Sequence, residues 1–364
     1  REQINWLLDD LYGQFVEGIS TGRGMTTEQV KASIDAGPYT SRDALKAGLI
    51  DDLKHYDELT ENDAPFANQL NLSHLYEIPD YNPRWSEPNR IAVVYADGSI
   101  MEGENGSSLL QGKVIGSKTL SRTLRRVKED PSIDGVVFRI NSPGGGVFAS
   151  EEIYRQLVLL KEKKPLVVSM GGVAASGGYY IACPGDEIIA SPGTITGSIG
   201  VVMGKVDLSG LYDKIGYHTE TLKRGRHADI RTSSRPATEQ EMALIDSMIW
   251  EYYGDFVTKV STWRKIDFDS VDAIGEGRVW TGRQAKENGL VDSYGGLFDA
   301  IEKVSQRARL DPRNKTEIAT YPVYGVSVLP ALRTPSLESQ LSSILGKADE
   351  GKYYYKPPFE LKIK

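Results

Sequence analysis

Short runs of β-branched and aliphatic residues alternate with helical patterns through the middle of this 364-residue chain. Such runs are typical of buried strands, and they occur at residues 91–95, 135–140, 165–170, 187–190 and 199–203. Two stretches between them carry apolar residues at i, i+4 and i+7, namely Leu120, Leu124 and Val127, then Ile153, Leu157 and Leu160. Strands and helices in alternation predict a largely parallel sheet covered by helices, with sites at the carboxyl ends of strands.

An internal repeat flanks this α/β pattern. The segment YGQFV at 12–16 recurs 241 residues later as YGDFV at 253–257. In the same register, YTSRDA and GLID at 39–51 return as WTGRQA and GLVD at 280–292. We call residues 12–51 the first helical unit and residues 253–292 the second helical unit. An α/β pattern precedes the second unit but not the first, which leads us to expect a homologous α/β half upstream of Arg1; the alternative is a natural protein in which only the helical unit is duplicated.

The repeat and the composition along the chain predict four segments. Residues 1–60 are the end of a first, truncated half, and their first turns carry apolar residues at helical spacing. Residues 61–89 hold four prolines without steady periodicity and read as a connector. Residues 90–312 form a complete second half, and residues 313–364 are a C-terminal extension.

Composition excludes several classes of function. The formal net charge of −7 provides no basic field for nucleic acid, and no local basic patch replaces it. The single cysteine, Cys183, forbids an internal disulfide, and with four histidines it makes a structural zinc site improbable. No apolar run reaches the roughly 18 residues that span a bilayer. We therefore expect no metal ion and no nucleic-acid partner, and nothing in the sequence calls for an organic cofactor.

Two glycine-rich loops follow predicted strands. The first, NSPGGG at 141–146, has successive small residues whose N–H groups can converge on one acceptor, as in an oxyanion hole. The second, SMGGVAASGGYY at 169–180, places Ser176 at the start of a helix. A serine there can attack a carbonyl carbon while helix N–H groups face the oxyanion. Each loop also has a plainer interpretation: a tight turn for the first, and an N-cap serine for the second.

Together with TITGSIGV at 194–201, these two loops resemble the signal peptide peptidase A family, also called protease IV. The resemblance covers about residues 91–310 and the partial repeat at 1–60. It implies an α/β fold of the ClpP/crotonase-like type, with repeated ββα units, a largely parallel sheet and additional helical segments. The family includes a tandem form with two homologous halves, which matches the repeat.

The resemblance also implies the roles of individual residues. Ser176 matches the nucleophile, and Gly144, Gly145 and Gly177 match the residues that line the oxyanion site. Ser198 matches a hydroxyl that can orient the catalytic lysine of a Ser–Lys dyad. Such a lysine acts as a base only when burial lowers its pKa toward neutrality.

The expected lysine is missing from this sequence. The matching stretch is GRHAD at 225–229, with Ala228 at the lysine position. In the tandem form the serine comes from the second half and the lysine from the first, so we expect the base to lie upstream and this chain alone to be inactive. His227, Lys205 and Lys223 are the nearby rivals, and each is interpreted as a solvated surface residue.

The expected activity is therefore serine endopeptidase cleavage of signal peptides and other apolar peptides. The resemblance further implies a homo-oligomer in the bacterial cell envelope, on the inner membrane facing the periplasm, held to the membrane by a segment outside this chain. Two alternatives remain: an acyl-CoA enzyme of the crotonase type, in which paired amides hold a thioester enolate, and a noncatalytic oligomeric scaffold.

Overall fold

The computed structural model describes residues 2–55, 89–108, 112–311 and 316–321. Residues 1–322 form one compact unit. The predicted connector lies almost wholly outside the described residues, as does most of the C-terminal extension.

The helices and strands follow the predicted alternation. The first part of the chain is helical, with α1 (Glu2–Arg23), α2 (Thr27–Ala36) and α3 (Ser41–Lys46). The α/β part contains β1 (Asn89–Asp97), β2 (Ser99–Met101), β3 (Gly106–Ser108), β4 (Gly112–Gly116), α4 (Ser117–Glu129), β5 (Gly135–Ser142), α5 (Val147–Lys161), β6 (Leu166–Ala175), α6 (Gly177–Ala182), β7 (Glu187–Ala190), β8 (Ile195–Gly197) and α7 (Ser209–Lys214). Then come α8 (Glu239–Arg264), α9 (Phe268–Ile274), β9 (Val279–Thr281), α10 (Gly282–Glu287), β10 (Ser293–Tyr294), α11 (Leu297–Arg307) and β11 (Thr316–Tyr321).

The main sheet has the strand order β10-β7-β6-β5-β1-β11, and all neighbours in this order are parallel. β8 adds to the end of β6 in parallel and pairs with β9 in antiparallel orientation. A smaller sheet, β2-β4-β3, lies beside it and touches the first glycine loop through a bridge between Ile100 and Gly145. The predicted α/β class with a largely parallel sheet is confirmed. The sheet also includes residues 316–321, which the sequence pattern assigned to the C-terminal extension.

Helices bury both faces of the main sheet, because a parallel sheet exposes apolar side chains on each side. Along β1, Ala92 and Val94 face a large core that also contains the predicted stripes of α4 and α5. The alternate residues Ile91 and Val93 face a second core, closed by Ala300 and Val304 of α11.

One predicted strand is wrong. Residues 199–203 are irregular, and the strand in this region is β8, four residues earlier. Val202 is 97% exposed and Met203 41%, so the apolar run is not a core strand. None of the helices in the described part of the chain is both long and apolar enough to cross a membrane.

The two helical units have the same internal geometry. Arg23 pairs with Asp51 at 2.6 Å, and the equivalent Arg264 pairs with Asp292 at 2.5 Å. The Tyr39 hydroxyl donates to Ser33 O at 3.0 Å, and Trp280 Nε1 donates to Ile274 O at the same distance. These matched bonds show that the sequence repeat is also a structural repeat.

Candidate active site

Ser176 lies at a sharp turn between β6 and α6. Its backbone has φ 51° and ψ −122°, a conformation that side-chain-bearing residues rarely adopt. Ser176 occupies the N-cap position of α6, but its side chain caps no helix N–H and makes no hydrogen bond to another described residue. The N-cap interpretation is therefore wrong for the side chain. Strain of this kind is typical of functional turns that present a nucleophile at the end of a strand.

The first glycine loop packs directly against this turn. A methyl group built on Gly144 would lie 2.7 Å from Gly177 N and 2.9 Å from Ser176 Cβ. One built on Gly177 would lie 2.6 Å from Ser150 Oγ and 3.1 Å from Gly145 N. No side chain fits at either position, and Gly144 also has φ 108°. Backbone contact between the two loops therefore requires glycine at both positions.

Two amide donors point to an oxyanion site. The N–H of Gly144 already donates to Ser142 Oγ at 3.1 Å, so it is not free to bind an oxyanion. Gly144 instead serves the site by having no side chain, which lets the two loops pack closely. The N–H groups of Gly145 and Gly177 make no hydrogen bond to any described residue. Gly177 is also the first residue of α6, where the unpaired N–H groups of a helix attract negative charge.

Ser198 is joined to the turn at Ser176 through the backbone. The N–H of Ser176 donates to Gly197 O at 2.9 Å, in continuation of the β6–β8 pairing. Ser198 follows with φ 50°, and its own N–H donates to Arg278 O at 2.7 Å. Its side chain is partly exposed and has no hydrogen-bond partner in the described part of the chain. Ser176 and Ser198 are thus held at the ends of neighbouring strands.

Side chains that the sequence analysis did not identify hold the loops in place. Thr194 Oγ1 donates to Gly171 O at 2.8 Å, and Thr196 Oγ1 donates to Ala174 O at 2.7 Å. Ser142 and Ser150 contact the first loop and Gly177 as described above. Residues two positions apart lie on the same face of a strand, so the spacing of Thr194 and Thr196 already indicates in the sequence that both side chains point the same way.

The stretch around Ala228 is a network of charges. The Arg235 guanidinium bridges Asp229 at 2.8 Å and Glu241 at 2.7 Å, and Lys223 Nζ also pairs with Asp229. Arg235 and Lys223 hold the pKa of Asp229 well below its ordinary value, and Arg235 lowers the pKa of Glu241 to about 2. Ala228 brings no group that can accept a proton.

The three alternative candidates for the base differ in their surroundings. His227 is only 9% exposed, with Nδ1 3.7 Å from Glu241 Oε1. Lys223 is held by Asp229 and by Arg226 O. Lys205 Nζ is buried without a hydrogen-bond acceptor among the described residues. The expectation of a solvated side chain is therefore wrong for His227, which is buried against Glu241, and for Lys205, whose Nζ is buried, while Lys223 is exposed as expected and also pairs with Asp229. The described residues contain no cluster of His, Cys, Asp and Glu suited to a metal ion.

The two helical units differ in how far their apolar faces are covered by other parts of the chain. An open cavity of about 750 Å³ is lined by Phe15, Ile19, Val30, Ile34, Tyr39 and Leu49, among others. Phe15 is 58% exposed, whereas its equivalent Phe256 is 3% exposed and packs on Tyr180 with ring centroids 4.8 Å apart. The α/β part thus covers the apolar face of the second unit, while in the part of the chain that the structure describes the same face of the first unit is open.

Comparison with known proteins agrees with this geometry. The peptidase family S49 model matches residues 1–69 and 158–311, and the Clp protease model matches residues 116–195. The chain is 35% identical to a chloroplastic serine protease SPPA of Arabidopsis thaliana, over 86% of this chain and 48% of that protein. It is 36% identical to Protease 4 of Salmonella typhi, over 85% of this chain and 52% of the relative.

A third relative is covered for most of its length. The chain is 32% identical to a putative signal peptide peptidase SppA of Enterococcus faecium, over 64% of this chain and 68% of that protein. By contrast, it spans about half the length of the Arabidopsis and Salmonella proteins. The strained serine beside two unpaired amides, the Clp-like sheet and these matches have one common explanation: the chain belongs to peptidase family S49, a family of hydrolases.

Proposed function

We propose that this chain is the serine-bearing part of a serine endopeptidase, with Ser176 as the nucleophile. The observation that carries the proposal is the position of Ser176, at a strained turn next to the unpaired N–H groups of Gly145 and Gly177. In the reaction, Ser176 Oγ attacks the carbonyl carbon of the substrate peptide and passes its proton to a base. The two amides stabilise the oxyanion that forms.

The remaining steps require only water and the same groups. The protonated base gives its proton to the leaving amine as the C–N bond breaks, which leaves the acyl group on Ser176. Water then attacks this ester, again with proton transfer to the base, and releases the acid and the serine hydroxyl. Nothing in this sequence of steps needs a metal ion or an organic cofactor.

Covalent labelling of the full-length protein tests the nucleophile. A fluorophosphonate probe forms a bond between its phosphorus and an activated serine oxygen, with loss of fluoride. We expect one adduct, mapped by peptide mass spectrometry to the peptide that contains Ser176. A protein that stays unlabelled while folded would favour the scaffold alternative, and an adduct only at another serine would overturn the assignment.

We further propose that the base is a lysine from a homologous α/β half upstream. The structural repeat, the open apolar face of the first helical unit and the half-length match to two relatives support this second half. The repeat offset places the lysine about 241 residues before Ala228, so that it precedes residue 1 of this chain. Ser198 then orients the amine of this lysine.

Activity of the isolated chain checks the source of the base. We expect residues 1–364 to hydrolyse a fluorogenic apolar peptide at least about 10²-fold more slowly than the full-length protein, because general-base catalysis contributes roughly that factor or more. The control is the circular dichroism spectrum of the isolated chain, which must show a folded α/β protein. Rapid hydrolysis that depends on Ser176 would mean that the base lies within this chain.

Signal peptides and other apolar peptides are the proposed substrates. One relative is named as a putative signal peptide peptidase. The segment after Ser198 also exposes apolar side chains, including Val202, Val206 and Ile215, that suit contact with an apolar peptide. For the whole protein we propose a homo-oligomer in the bacterial cell envelope, on the inner membrane facing the periplasm and tethered through a segment outside this chain.

A further inference from the structure

A charged bridge connects three helices behind the candidate site. Lys259 of α8 lies 3.1 Å from the Glu151 carboxylate of α5, and both side chains are partly buried. The Tyr180 hydroxyl of α6 donates a hydrogen bond to the same carboxylate. Lys259 Nζ also lies over the rings of Tyr154 and Tyr180, 5.1 and 5.3 Å from their centroids. One ammonium group thus compensates the carboxylate and packs on both aromatic faces.

Each end of this bridge lies next to an oxyanion donor. Glu151 follows Ser150, whose hydroxyl donates to Gly146 O at 2.9 Å and which lies against Gly177. Tyr180 is one helical turn after Ser176, and its N–H donates to Ser176 O at 2.9 Å. The bridge therefore ties α5, which follows the first glycine loop, to α6, which begins at the nucleophile.

The bridge is suited to hold α6 in a fixed position against α5. Burial raises the pKa of Tyr180, and the neighbouring Glu151 raises it further, so the hydroxyl stays protonated and remains a donor. Without Lys259, the Glu151 carboxylate would lose the ammonium group that pairs with it beside the aromatic rings, and would turn toward water or take up a proton. Tyr180 would then lose its fixed acceptor, and α6 could shift against α5.

The repeat indicates that Lys259 is not needed to build a helical unit. Phe256, Val257 and Arg264 have identical equivalents in the first unit, at Phe15, Val16 and Arg23. The equivalent of Lys259 is Gly18, in a unit that keeps the same internal ion pair and hydrogen bond. Lys259 thus distinguishes the unit that packs behind Ser176.

We propose that Lys259 is a positioning residue, which acts through Glu151 and Tyr180 to hold the N–H groups of Gly145 and Gly177 at the spacing that the oxyanion requires. The inference rests on the proposed function. Because transition-state stabilisation by amides depends on geometry within a fraction of an ångström, a small shift of α6 lowers kcat more than it changes KM.

The test is steady-state hydrolysis of a fluorogenic apolar peptide by the full-length protein. We expect Lys259→Met to lower kcat by about 10-fold to 10²-fold, below the loss of a whole oxyanion donor, with KM changed less than about threefold. Lys259→Arg should restore most of the rate, since it keeps the cation. Tyr180→Phe, which removes only the hydroxyl, should give the same split between kcat and KM and serves if Lys259→Met fails to fold.

Lys161→Met is the matched control. Lys161 also lies over an aromatic ring, that of Trp263 at 4.5 Å, and pairs with Asp186 at 3.1 Å with similar exposure. It lies at the far end of α5 from the glycine loop. We expect this variant to keep the wild-type kcat. If Lys259→Met and Tyr180→Phe match the control, the positioning role is overturned. If the wild type shows no cleavage that depends on Ser176, the proposed function itself is overturned, and the positioning role with it.

Discussion

Replacement of Ser176 by alanine in the full-length protein is expected to lower kcat for peptide hydrolysis by about 10⁴-fold or more, as the loss of the nucleophile does in other serine hydrolases. The fold should be unaffected, because the hydroxyl makes no hydrogen bond to a described residue. We expect the free energy of unfolding to change by less than about 0.5 kcal/mol, the range for side chains without such roles. Progress curves with a fluorogenic peptide, together with thermal unfolding, measure both quantities.

Ser198→Ala is the comparison for this experiment. Ser198 has a similar exposure and a similar positive φ, but its expected role is only to orient the base. Its removal should therefore cost less activity than removal of Ser176. Full activity in Ser176→Ala would contradict the peptidase assignment and favour the acyl-CoA alternative, in which paired amides act without a serine nucleophile.

The largest effect on stability is expected for Arg235→Met. The guanidinium binds Asp229 through Nε and Nη2, and Glu241 through Nη1 and Nη2, at 2.7–2.9 Å. The side chain of Glu241 is 1% exposed and that of Asp229 10%. Removal of the cation leaves two buried carboxylates undercompensated, which costs about 3–5 kcal/mol. Urea unfolding at pH 7 measures the loss, with Arg122→Met in the exposed Arg122–Glu104 pair as a control that should change stability by less than about 1 kcal/mol.

The difference in stability between the wild type and Arg235→Met is also expected to depend on pH. Arg235 lowers the pKa of Glu241 from 4.5 to about 2, so the native state holds this carboxylate ionised more strongly than the unfolded chain does. Its contribution to stability is complete above the unfolded pKa and is lost as the pH falls through about 2. The difference in unfolding free energy between wild type and Arg235→Met should therefore shrink as the pH drops below 4.5. A difference that is constant with pH would contradict this account of the charge network.

Local sequence patterns predicted the sheet and the helices that cover it because they depend on near neighbours. The stripes at Leu120–Leu124 and Ile153–Leu157 are buried as their spacing requires, and β7 matches its predicted residues. The strand predicted at residues 199–203 is wrong because this segment pairs with no described strand of the sheet. Val202 and Met203 are exposed although Ile199 is buried, and no periodicity within five residues reveals that difference.

The sequence by itself determined the parallel α/β class, the duplication of the helical unit and the membership of Ser176 in a glycine-rich turn, since each depends on residue type and spacing along the chain. Only the tertiary structure decided which amides are unpaired, that Gly144 contributes space while its N–H binds Ser142, and that Lys259, Glu151 and Tyr180 meet behind the site. Those features depend on groups far apart in the sequence that packing brings to within a few ångströms, and no local pattern encodes such distances.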